Sequence, residues 1–448
     1  MDPDRPDSGS AGDSAPPSAA VEDAPAAEKE SAPGPPRGLE RDLRRRLLEQ
    51  VHIGEPASRH SEEELVGRVD ELVAATEEYW AGTPSRQAAA GRPFTDSRLL
   101  PEQLFNLGIL LHGLRIGPGD VVGELGAGTC WVSHFLNLAG CRTISVDVSP
   151  TALDIGQELF HGSNRTRWEL EPRFEAFDGR RLPLEDGACD RWIVYGAFHH
   201  VPNQREILSE LARTLRPGSI VAMVEPGRYH SGFPVDDREK NLLRNDLVVE
   251  DLARLARECG FTRTTVRPLT LRATREVDAE DFRLFLRGEG LLDHWIAELH
   301  GLLEQHHVFL YNGDFIGSSR HRDGLGARIE ILEPGVDEPL RVPAGGRTEV
   351  RCRLENTGSS RWIGEGDGPG TVFLGAHLLP EEGEAIWDWS RLPLRRDVEP
   401  GESLELGLDV GIPERAGRYR LEIDLVSEQV AWFAELGSPA PLVELVVA

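Results

Sequence analysis

The stretch from Val121 to Cys130, which reads VVGELGAGTC, constrains the fold more than any other part of the chain. Short apolar residues lead to an acid and then to two glycines in G-x-G spacing, and residues 131–136 continue with helical periodicity. This order predicts a strand, a tight turn and a helix. Gly126 allows the sharp turn, Gly128 lets a ligand approach the backbone, and free N–H groups at the helix start can bind an anion. The segment therefore predicts a nucleotide-binding turn.

The spacing of the glycines separates two kinds of nucleotide cofactor. The dinucleotide fingerprint G-x-G-x-x-G needs a third glycine for close helix–strand packing, and Trp131 stands at that position, so NAD is disfavoured. The remaining pattern, acid-x-Gly-x-Gly-x-small, resembles the first motif of class I S-adenosylmethionine-dependent methyltransferases. It consists here of Glu124, Gly126, Gly128 and Cys130. Cysteine replaces the usual third glycine of that motif and is small enough for the turn.

A second strand is predicted at 142–147 and ends in Asp147, about twenty residues beyond the glycine turn. An acid at the carboxyl end of a strand can accept hydrogen bonds from both hydroxyls of a ribose. Ser149 and Pro150 supply the cap and the first residue of the next helix, so Asp147 is not needed to cap it. We therefore expect Asp147 to bind the ribose of the cofactor.

Further strands are predicted at 173–177, 192–195 and 220–224, each followed by a turn or a helix. Strands and helices that alternate in this way predict a parallel sheet with ligands at its carboxyl edge. The fourth strand ends shortly before His199 and His200, a segment similar to the fourth-strand end of many small-molecule methyltransferases. The spaced motifs together predict an α/β, Rossmann-like sheet.

The resemblance covers roughly residues 104–317 and implies that S-adenosylmethionine is the cofactor. It implies that Asp178, after the third strand, accepts a hydrogen bond from the adenine amino group. The residues that it assigns to cofactor binding are Glu124, Gly126, Ala127, Gly128, Cys130, Asp147, Val148, Asp178, Gly179 and Tyr195.

Methyl transfer from a sulfonium requires that donor and acceptor be aligned and that the acceptor lose a proton. Histidine titrates near neutral pH, so His199 and His200 are candidate bases. Glu225, Tyr229 and His230 are further candidates at the end of the next strand. Each histidine has an alternative structural role, in packing or in bonding the backbone. Of the two, His200 is the favoured base.

The chain before the glycine turn divides by composition. Residues 1–37 are acidic, rich in proline and alanine and poor in large apolar side chains, so we expect a disordered tail. Helical stretches are predicted over 38–115, including one that begins with a capping box at Ser61. In the methyltransferases that this chain resembles, such helices cover the cofactor cleft. The methyltransferase domain itself is predicted over 116–323, with a mainly helical stretch at 279–306.

Beyond residue 324 the pattern changes to short strands divided by turns, which predicts a β-sandwich of immunoglobulin type over 324–448. The region resembles sandwich domains of bacterial polysaccharide-biosynthesis and export proteins around Gly375–His377 and Ala431–Phe433. That resemblance implies a glycan or small-molecule acceptor, or a protein partner, bound through the sandwich.

Four tryptophans in the predicted sandwich have two possible roles. Trp387 and Trp389 are predicted on one face of a strand, spaced as platforms that stack on sugars often are, with Trp362 and Trp432 near them. Core packing is the commoner role of aromatic residues in a sandwich.

A polar, glycine-bearing stretch at 314–326 separates the two predicted domains. Its composition is typical of a linker that few contacts cross. We therefore expect the methyltransferase domain and the sandwich to have separate cores.

Composition limits the partners. The net charge is −27, with 76 acidic against 49 basic residues, so nucleic acid and anionic membranes are unfavourable partners. The five cysteines are scattered and contain no C-x-x-C pair, so neither a disulfide framework nor a metal site is indicated. No apolar run reaches the length of a membrane span, and a soluble cytoplasmic protein is expected.

These features predict a methyltransferase that acts on a sugar or another small acceptor. A non-catalytic scaffold, in which the sandwich is a binding module, is the alternative from another class. The glycine turn, Asp147 and the histidine pair argue against a decayed site. A nucleic-acid methyltransferase would be supported by an Asn-Pro-Pro-Tyr segment, but residues 195–198 read Tyr-Gly-Ala-Phe at that point.

Overall fold

The computed structural model describes residues 62–227, 239–267, 279–280, 283, 305–335, 339–366 and 368–448. The predicted tail and several predicted features lie outside the described residues: residues 1–37, Ser61, Tyr229 and His230.

Helices precede the first strand, and strands then alternate with helices. The helices before the sheet are α1 (Glu62–Val66), α2 (Val69–Ala81), α3 (Arg86–Ala90) and α4 (Leu100–Leu114). The elements that follow are β1 (Val121–Leu125), α5 (Trp131–Leu138), β2 (Arg142–Asp147), α6 (Pro150–Gly162), β3 (Arg173–Ala176), β4 (Cys189–Tyr195), α7 (Gln204–Thr214), β5 (Leu215–Pro226), α8 (Val249–Glu258), β6 (Arg263–Arg267) and β7 (Gln305–Asn312).

These strands form one sheet in the order β3-β2-β1-β4-β5-β7-β6, in which β1 to β5 are parallel and β7 is antiparallel to both of its neighbours. Central side chains such as Val122, Val146 and Ile193 are fully buried, so helices must cover both faces. Strand order reverses between β1 and β4, which places a ligand crevice at the carboxyl ends of these two strands. The predicted Rossmann-like α/β sheet is confirmed.

One predicted boundary in this half is wrong. The helical stretch predicted at 279–306 cannot extend to its end, because Gln305 and His306 are strand residues that pair with Pro226 and Glu225. The backbone groups at the edge of β5 need partners, and this pairing supplies them.

The C-terminal part consists of strands with little helix. Its strands are β8 (Gly317–Ser318), β9 (Ala327–Glu333), β10 (Leu340–Val342), β11 (Arg347–Asn356), β12 (Ser360–Arg361), β13 (Val372–Pro380), β14 (Ile386–Pro393), β15 (Ser403–Gly411), β16 (Gly417–Ser427), β17 (Ala431–Trp432) and β18 (Leu442–Val447). One sheet has the order β10-β18-β16-β13-β14, with β17 on β16, and the other has the order β15-β11-β9.

The two C-terminal sheets share one core. Leu354 of β11, Leu374 of β13 and Leu425 of β16 belong to the same buried cluster, and the rings of Trp362 and Phe433 meet edge to face at 5.5 Å within it. The expected all-β C-terminal region is thus confirmed, while its immunoglobulin type stays a prediction.

The tryptophans predicted to share one strand face have different surroundings. Asp388 between them has a left-handed backbone (φ 59°), which interrupts the alternation of the strand. Trp387 is 65% exposed, whereas Trp389 packs against the core and its Nε1 donates to the carbonyl of Gly411 at 2.8 Å. Trp362 is fully buried, so it is a core residue.

The expectation that few contacts cross the stretch at 314–326 is wrong. Strand β8 within it pairs in parallel with β12 of the sandwich. Ser319 is fully buried, and its Oγ donates to the carbonyl of Gly370 at 2.6 Å. The N–H of Ile316 donates to the carbonyl of Gly218 in the other half at 2.9 Å. The stretch is therefore a packed junction that has hydrogen bonds to both halves.

Arg320 anchors this junction to the amino end of the large sheet. Its Nη1 lies 3.2 Å from Oδ1 of Asp120 and 3.7 Å from Oδ2 of Asp190, and both carboxylates are buried. Gly117 faces the Arg320 carbonyl so closely that a Cβ there would lie 2.4 Å from it, and a Cβ on Gly370 would lie 2.8 Å from the Arg320 Cα. The two halves have separate cores, as expected, but they meet tightly here.

Replacing Arg320 by methionine should lower the free energy of unfolding by about 3 kcal/mol, because it leaves the buried carboxylates of Asp120 and Asp190 with less compensating charge. Urea denaturation measures the change. The matched control is Arg328→Met, since Arg328 is 70% exposed and pairs with Glu355 at the surface; it should cost no more than about 1 kcal/mol. Equal losses in both variants would show that the Arg320 contacts do not stabilise the junction.

Candidate active site

The glycine turn after β1 has the geometry that its sequence predicts. Gly126 and Gly128 both have left-handed backbones, with φ of 67° and 51°. A Cβ on Gly126 would lie only 2.4 Å from the Cβ of Ala197, at the end of β4. The N–H groups of Gly126 and Ala127 both donate to the carbonyl of Val146 on β2. The turn is therefore held against two neighbouring strand ends, and only glycine fits at 126.

Glu124 holds the helix that follows the turn. Its carboxylate is buried, and Oε2 accepts hydrogen bonds from the N–H of Ser133 at 2.9 Å and from its Oγ at 2.5 Å. Burial raises the pKa of Glu124 to about 8, although the bonds from Ser133 oppose this rise. Glu124 lines the cavity described below, but its oxygen is engaged by the first turn of α5.

Asp147 joins the end of β2 to the glycine turn. Its Oδ2 accepts from the N–H of Gly128 and its Oδ1 from the N–H of Ser149, both at 2.8 Å. Burial raises the pKa of Asp147 to about 6, against the effect of these backbone bonds. Each carboxylate oxygen retains a further lone pair, so the group can still accept bonds from a ligand.

A cavity of about 390 Å³ opens at the carboxyl ends of β1, β2 and β4. Of the ten cofactor-binding residues and the two histidines predicted from the sequence, ten line it: Glu124, Gly126, Ala127, Gly128, Asp147, Val148, Gly179, Tyr195, His199 and His200. Residues distant in the sequence thus meet at the crevice where the strand order reverses.

The other two predicted residues, Cys130 and Asp178, do not line this cavity. The side chain of Cys130 is fully buried behind the turn, where a Cβ on Gly156 of α6 would lie 2.3 Å from its Sγ. The carboxylate of Asp178 is exposed and accepts bonds from the N–H groups of Arg180 and Arg181, which hold its pKa below the usual value. Cys130 therefore packs the helix interface, and Asp178 caps a turn.

Helix α2 forms one wall of the cavity, and sequence reasoning assigned none of its residues to the site. The indole of Trp80 lies 3.2 Å from the position that a Cβ on Gly128 would occupy, and Val73 packs over Gly179. Glu77 accepts hydrogen bonds from the hydroxyls of Ser149 and Thr151 at the start of α6. Tyr79 and Trp80 both line the cavity. Two adjacent aromatic residues at the end of this helix are the sequence feature that could have indicated the wall.

His199 forms a pair with the buried Glu225. Its Nδ1 donates to Oε2 of Glu225 at 2.7 Å. Glu225 also accepts from the N–H groups of Ala197, Phe198 and His199, at 3.0, 2.8 and 3.2 Å. Burial raises the pKa of Glu225 to about 7. The carboxylate therefore fixes both the loop and the orientation of the His199 ring.

His200 has a different environment. Its ring lies 3.8 Å from that of His199, and its Nδ1 donates to the carbonyl of Leu243. Burial lowers the pKa of His200 to about 3, and the neighbouring His199 adds to this effect. The protonated form of His200 is thus strongly disfavoured.

Two buried polar atoms at the cavity have no hydrogen-bond partner among the described residues. They are Oγ1 of Thr129 and Oδ1 of Asn203. The amide nitrogen of Asn203 is held by the carbonyl of Gly179 at 3.0 Å and by Glu206 at 2.6 Å, so the direction of its oxygen is determined. Buried polar atoms normally have partners, and a ligand in the cavity would supply them.

Within the described ranges, no group of three or more histidine, cysteine, aspartate or glutamate side chains is arranged to hold a metal ion. None of the helices in those ranges is both long enough and apolar enough to cross a bilayer.

Comparison with known proteins agrees with this geometry. Residues 123–223 match the family described as "Methyltransferase domain". An uncharacterised 37.1 kDa protein in transposon TN4556 of Streptomyces fradiae is 29% identical over 177 residues, 36% of this chain and 49% of that protein. A demethylmenaquinone methyltransferase of Mycobacterium tuberculosis (strain ATCC 25618 / H37Rv) is 32% identical over 112 residues, 25% of this chain and 43% of that enzyme. The chain thus spans less than half the length of either relative.

Solved structures are more distant. The complex of the Haloferax volcanii Trm112 methyltransferase activator with a putative methyltransferase has a chain with a TM-score of 0.38 and 16% identity, covering 53% of this chain and 98% of its own length. Residues 123–223, which contain the glycine turn at the crevice and the strands from β1 through most of β5, thus match the family described as a methyltransferase domain.

Proposed function

We propose that this protein transfers a methyl group from S-adenosylmethionine to a small-molecule acceptor. The observation that carries the proposal is the bond between Asp147 and the Gly128 N–H, which brings a buried carboxylate and a glycine turn together at one edge of the cavity. Bound S-adenosylmethionine supplies a methyl group activated by a sulfonium, which becomes a neutral thioether when the methyl leaves.

The residues at the cavity suit this cofactor. Asp147 offers acceptors to two ribose hydroxyls, and Gly128 lines the cavity beside it. Thr129 and Asn203 present buried oxygens that have no partner among the described residues. A nucleoside and an amino acid carry the donors and acceptors that such groups require.

His199 is the base that we propose for the acceptor proton. The Glu225 carboxylate beside its Nδ1 stabilises the imidazolium that forms when His199 takes up a proton at Nε2. His200, which the sequence favoured, is a poorer base because its pKa of about 3 makes protonation costly. The arrangement therefore favours His199, the reverse of the expectation from sequence.

The acceptor that we propose is a small hydroxylated molecule or a sugar. Two features support this choice. Apolar and aromatic side chains, including Leu72, Tyr79 and Leu242, form about half of the cavity wall, and polar groups form the rest, which suits a compact molecule with both kinds of surface. On the sandwich, Trp387 is 65% exposed and its ring meets the imidazole of His377 at 4.7 Å, a surface that suits the apolar face of a sugar ring. A quinone-like acceptor, which the name of the Mycobacterium relative suggests, is the other small-molecule choice.

The overall proposal is tested with purified protein and methyl-labelled S-adenosylmethionine. Calorimetry should show binding of S-adenosylmethionine and no binding of NAD, since Trp131 stands where NAD-binding turns need glycine. Label should then pass to a small-molecule fraction of cell extract. Binding of NAD without S-adenosylmethionine, or label only in nucleic acid, would refute the proposal.

The affinity for S-adenosylmethionine should fall as the pH is lowered from 7.5 to 5. The pKa of Asp147 is raised to about 6, so its carboxylate is ionised above that pH and loses acceptor capacity below it. A tenfold loss of the ionised form should weaken binding by about tenfold. Calorimetry at both pH values measures the change.

Asp147→Asn is the control for this pH dependence. It should weaken binding at pH 7.5, by about 1.5–3 kcal/mol for each charge-assisted bond lost. It should also remove the part of the pH dependence that is centred near pH 6. A variant with the same pH dependence as the unchanged protein would exclude Asp147 as its source.

Replacing His199 by glutamine should lower turnover by about 10²–10⁴, because glutamine cannot take up the acceptor proton. Affinity for S-adenosylmethionine and the melting temperature should change little. His200→Gln is the matched comparison. It should lower turnover by less than tenfold, because His200 is a neighbour of the proposed base and does not take up the proton. Rates are measured with the acceptor fraction that takes up label. A larger loss for His200→Gln than for His199→Gln would reverse the assignment.

A further inference from the structure

Three aromatic rings lie together on the outer face of the C-terminal sheet that contains β13, β14 and β16. Side chains alternate along β13, and Ala376 and Leu378 belong to the core, so His377 between them is on the face away from the core. Its ring centroid lies 4.7 Å from that of Trp387 in β14 and 4.2 Å from that of Trp432 in β17. His377 is therefore flanked by an indole from each of two other strands.

An irregularity in β14, an edge strand of this sheet, determines the position of Trp387. The register of β13 with β14 shifts at His377, which faces the three residues 387–389. The N–H of Asp388 in this bulge donates to Nδ1 of His377 at 3.0 Å. Bulges redirect side chains at the edges of sheets. Here the bulge leaves Trp387 65% exposed beside the buried histidine.

Packing explains one of the two tryptophans and not the other. The indole of Trp432 covers Gly375, since a Cβ on Gly375 would lie 2.8 Å from it. Trp432 thus fills the space that the glycine leaves on the outer face. Trp387 touches His377 but has most of its surface in solvent. A large apolar ring held in solvent by a bulge is not needed for packing.

A charged group borders these rings. The Cζ of Arg391 lies 5.5 Å from the ring centroid of Trp432, and its guanidinium donates from Nε to Asp388 and from Nη1 to Glu428. The side chains of Arg391, Asp388 and Glu428 are 31%, 42% and 25% exposed. We refer to the three rings, Arg391 and its two carboxylates as the outer patch.

The charges of the outer patch limit its ligand. Arg391 already lies near the Trp432 ring, where a cationic ligand would otherwise be attracted. The two carboxylates exceed the one guanidinium in charge, so an anionic ligand is disfavoured as well. A neutral ligand with an apolar face and many hydroxyls fits both the exposed indole and the charged border.

We propose that the outer patch binds a neutral saccharide, with one sugar ring stacked on Trp387 and its hydroxyls bonded to Arg391, Asp388 and Glu428. A sugar ring has an apolar face of C–H groups, which suits an indole. Hydroxyls both donate and accept, so they can use the remaining N–H groups of Arg391 and the remaining lone pairs of the carboxylates. The inference goes beyond the proposed function, because this site lies on the C-terminal sheets and needs no cofactor.

The test applies the full chain, without S-adenosylmethionine, to an array of neutral oligosaccharides of glucose, galactose, mannose and rhamnose. At least one neutral oligosaccharide should bind, and sulfated or uronic-acid oligosaccharides on the same array should not. Calorimetry with the neutral oligosaccharide that gives the strongest signal then measures the variants. Trp387→Ala should weaken binding by about tenfold or more, as for a central aromatic contact. Trp387→Phe keeps a stacking face and should lose less.

Trp168→Ala is the matched control, because Trp168 is 45% exposed and lies outside the C-terminal sheets; it should leave saccharide binding unchanged. Thermal unfolding should show little change for Trp387→Ala, since that side chain is mostly in solvent. The inference is wrong if no neutral oligosaccharide binds, or if Trp387→Ala and Trp168→Ala have equal effects.

Two further outcomes are distinguishable. Self-association of the chain that Trp387→Ala abolishes, measured by sedimentation, would show that the outer patch is a contact between copies and would also overturn the inference. Failure of the unchanged chain to bind S-adenosylmethionine would refute the proposed function and leave saccharide binding on the array as it is.

Discussion

The hydrogen bond from the Gly128 N–H to Asp147 is the contact on which the rest of the site depends. It joins the turn after β1 to the end of β2. Asp147 also accepts from the N–H of Ser149, and the hydroxyl of Ser149 donates to Glu77 on helix α2. A continuous series of bonds thus runs from the centre of the sheet to the wall of the cavity. Displacing any member of the series would move the surface that faces the cofactor.

A buried carboxylate that accepts backbone N–H bonds appears at three strand ends. Glu124 near the end of β1, Asp147 at the end of β2 and Glu225 near the end of β5 are all buried carboxylates that accept backbone N–H bonds from the following segment or from a neighbouring turn. Burial raises the pKa of each of them. Desolvating a carboxylate is costly, and the N–H bonds offset part of that cost. The buried carboxyl groups therefore hold the loops at the carboxyl edge of the sheet in place. The side of these loops that faces the cavity remains available to a ligand.

What the sequence predicted correctly was local. A strand, two glycines and an acid at the next strand end determine a turn through short-range geometry, so Gly126, Gly128 and Asp147 were found together. The directions of the Cys130 and Asp178 side chains depend on partners elsewhere, on Gly156 and on the N–H groups of Arg180 and Arg181. The composition of residues 314–326 predicted a linker, and this prediction failed for a related reason. Its polar residues bond to Asp120, Asp190 and Gly370, which no local pattern connects to it.

The position of Arg320 shows where the C-terminal sheets meet the large sheet relative to the cavity. Arg320 binds Asp120 and Asp190 at the amino ends of β1 and β4, whereas the cavity opens at the carboxyl ends of the same strands. β1 has five residues and spans about 17 Å. The Arg320 contacts are therefore separated from the cavity by about the length of strand β1. A molecule in contact with both Arg320 and the cavity would have to be longer than strand β1.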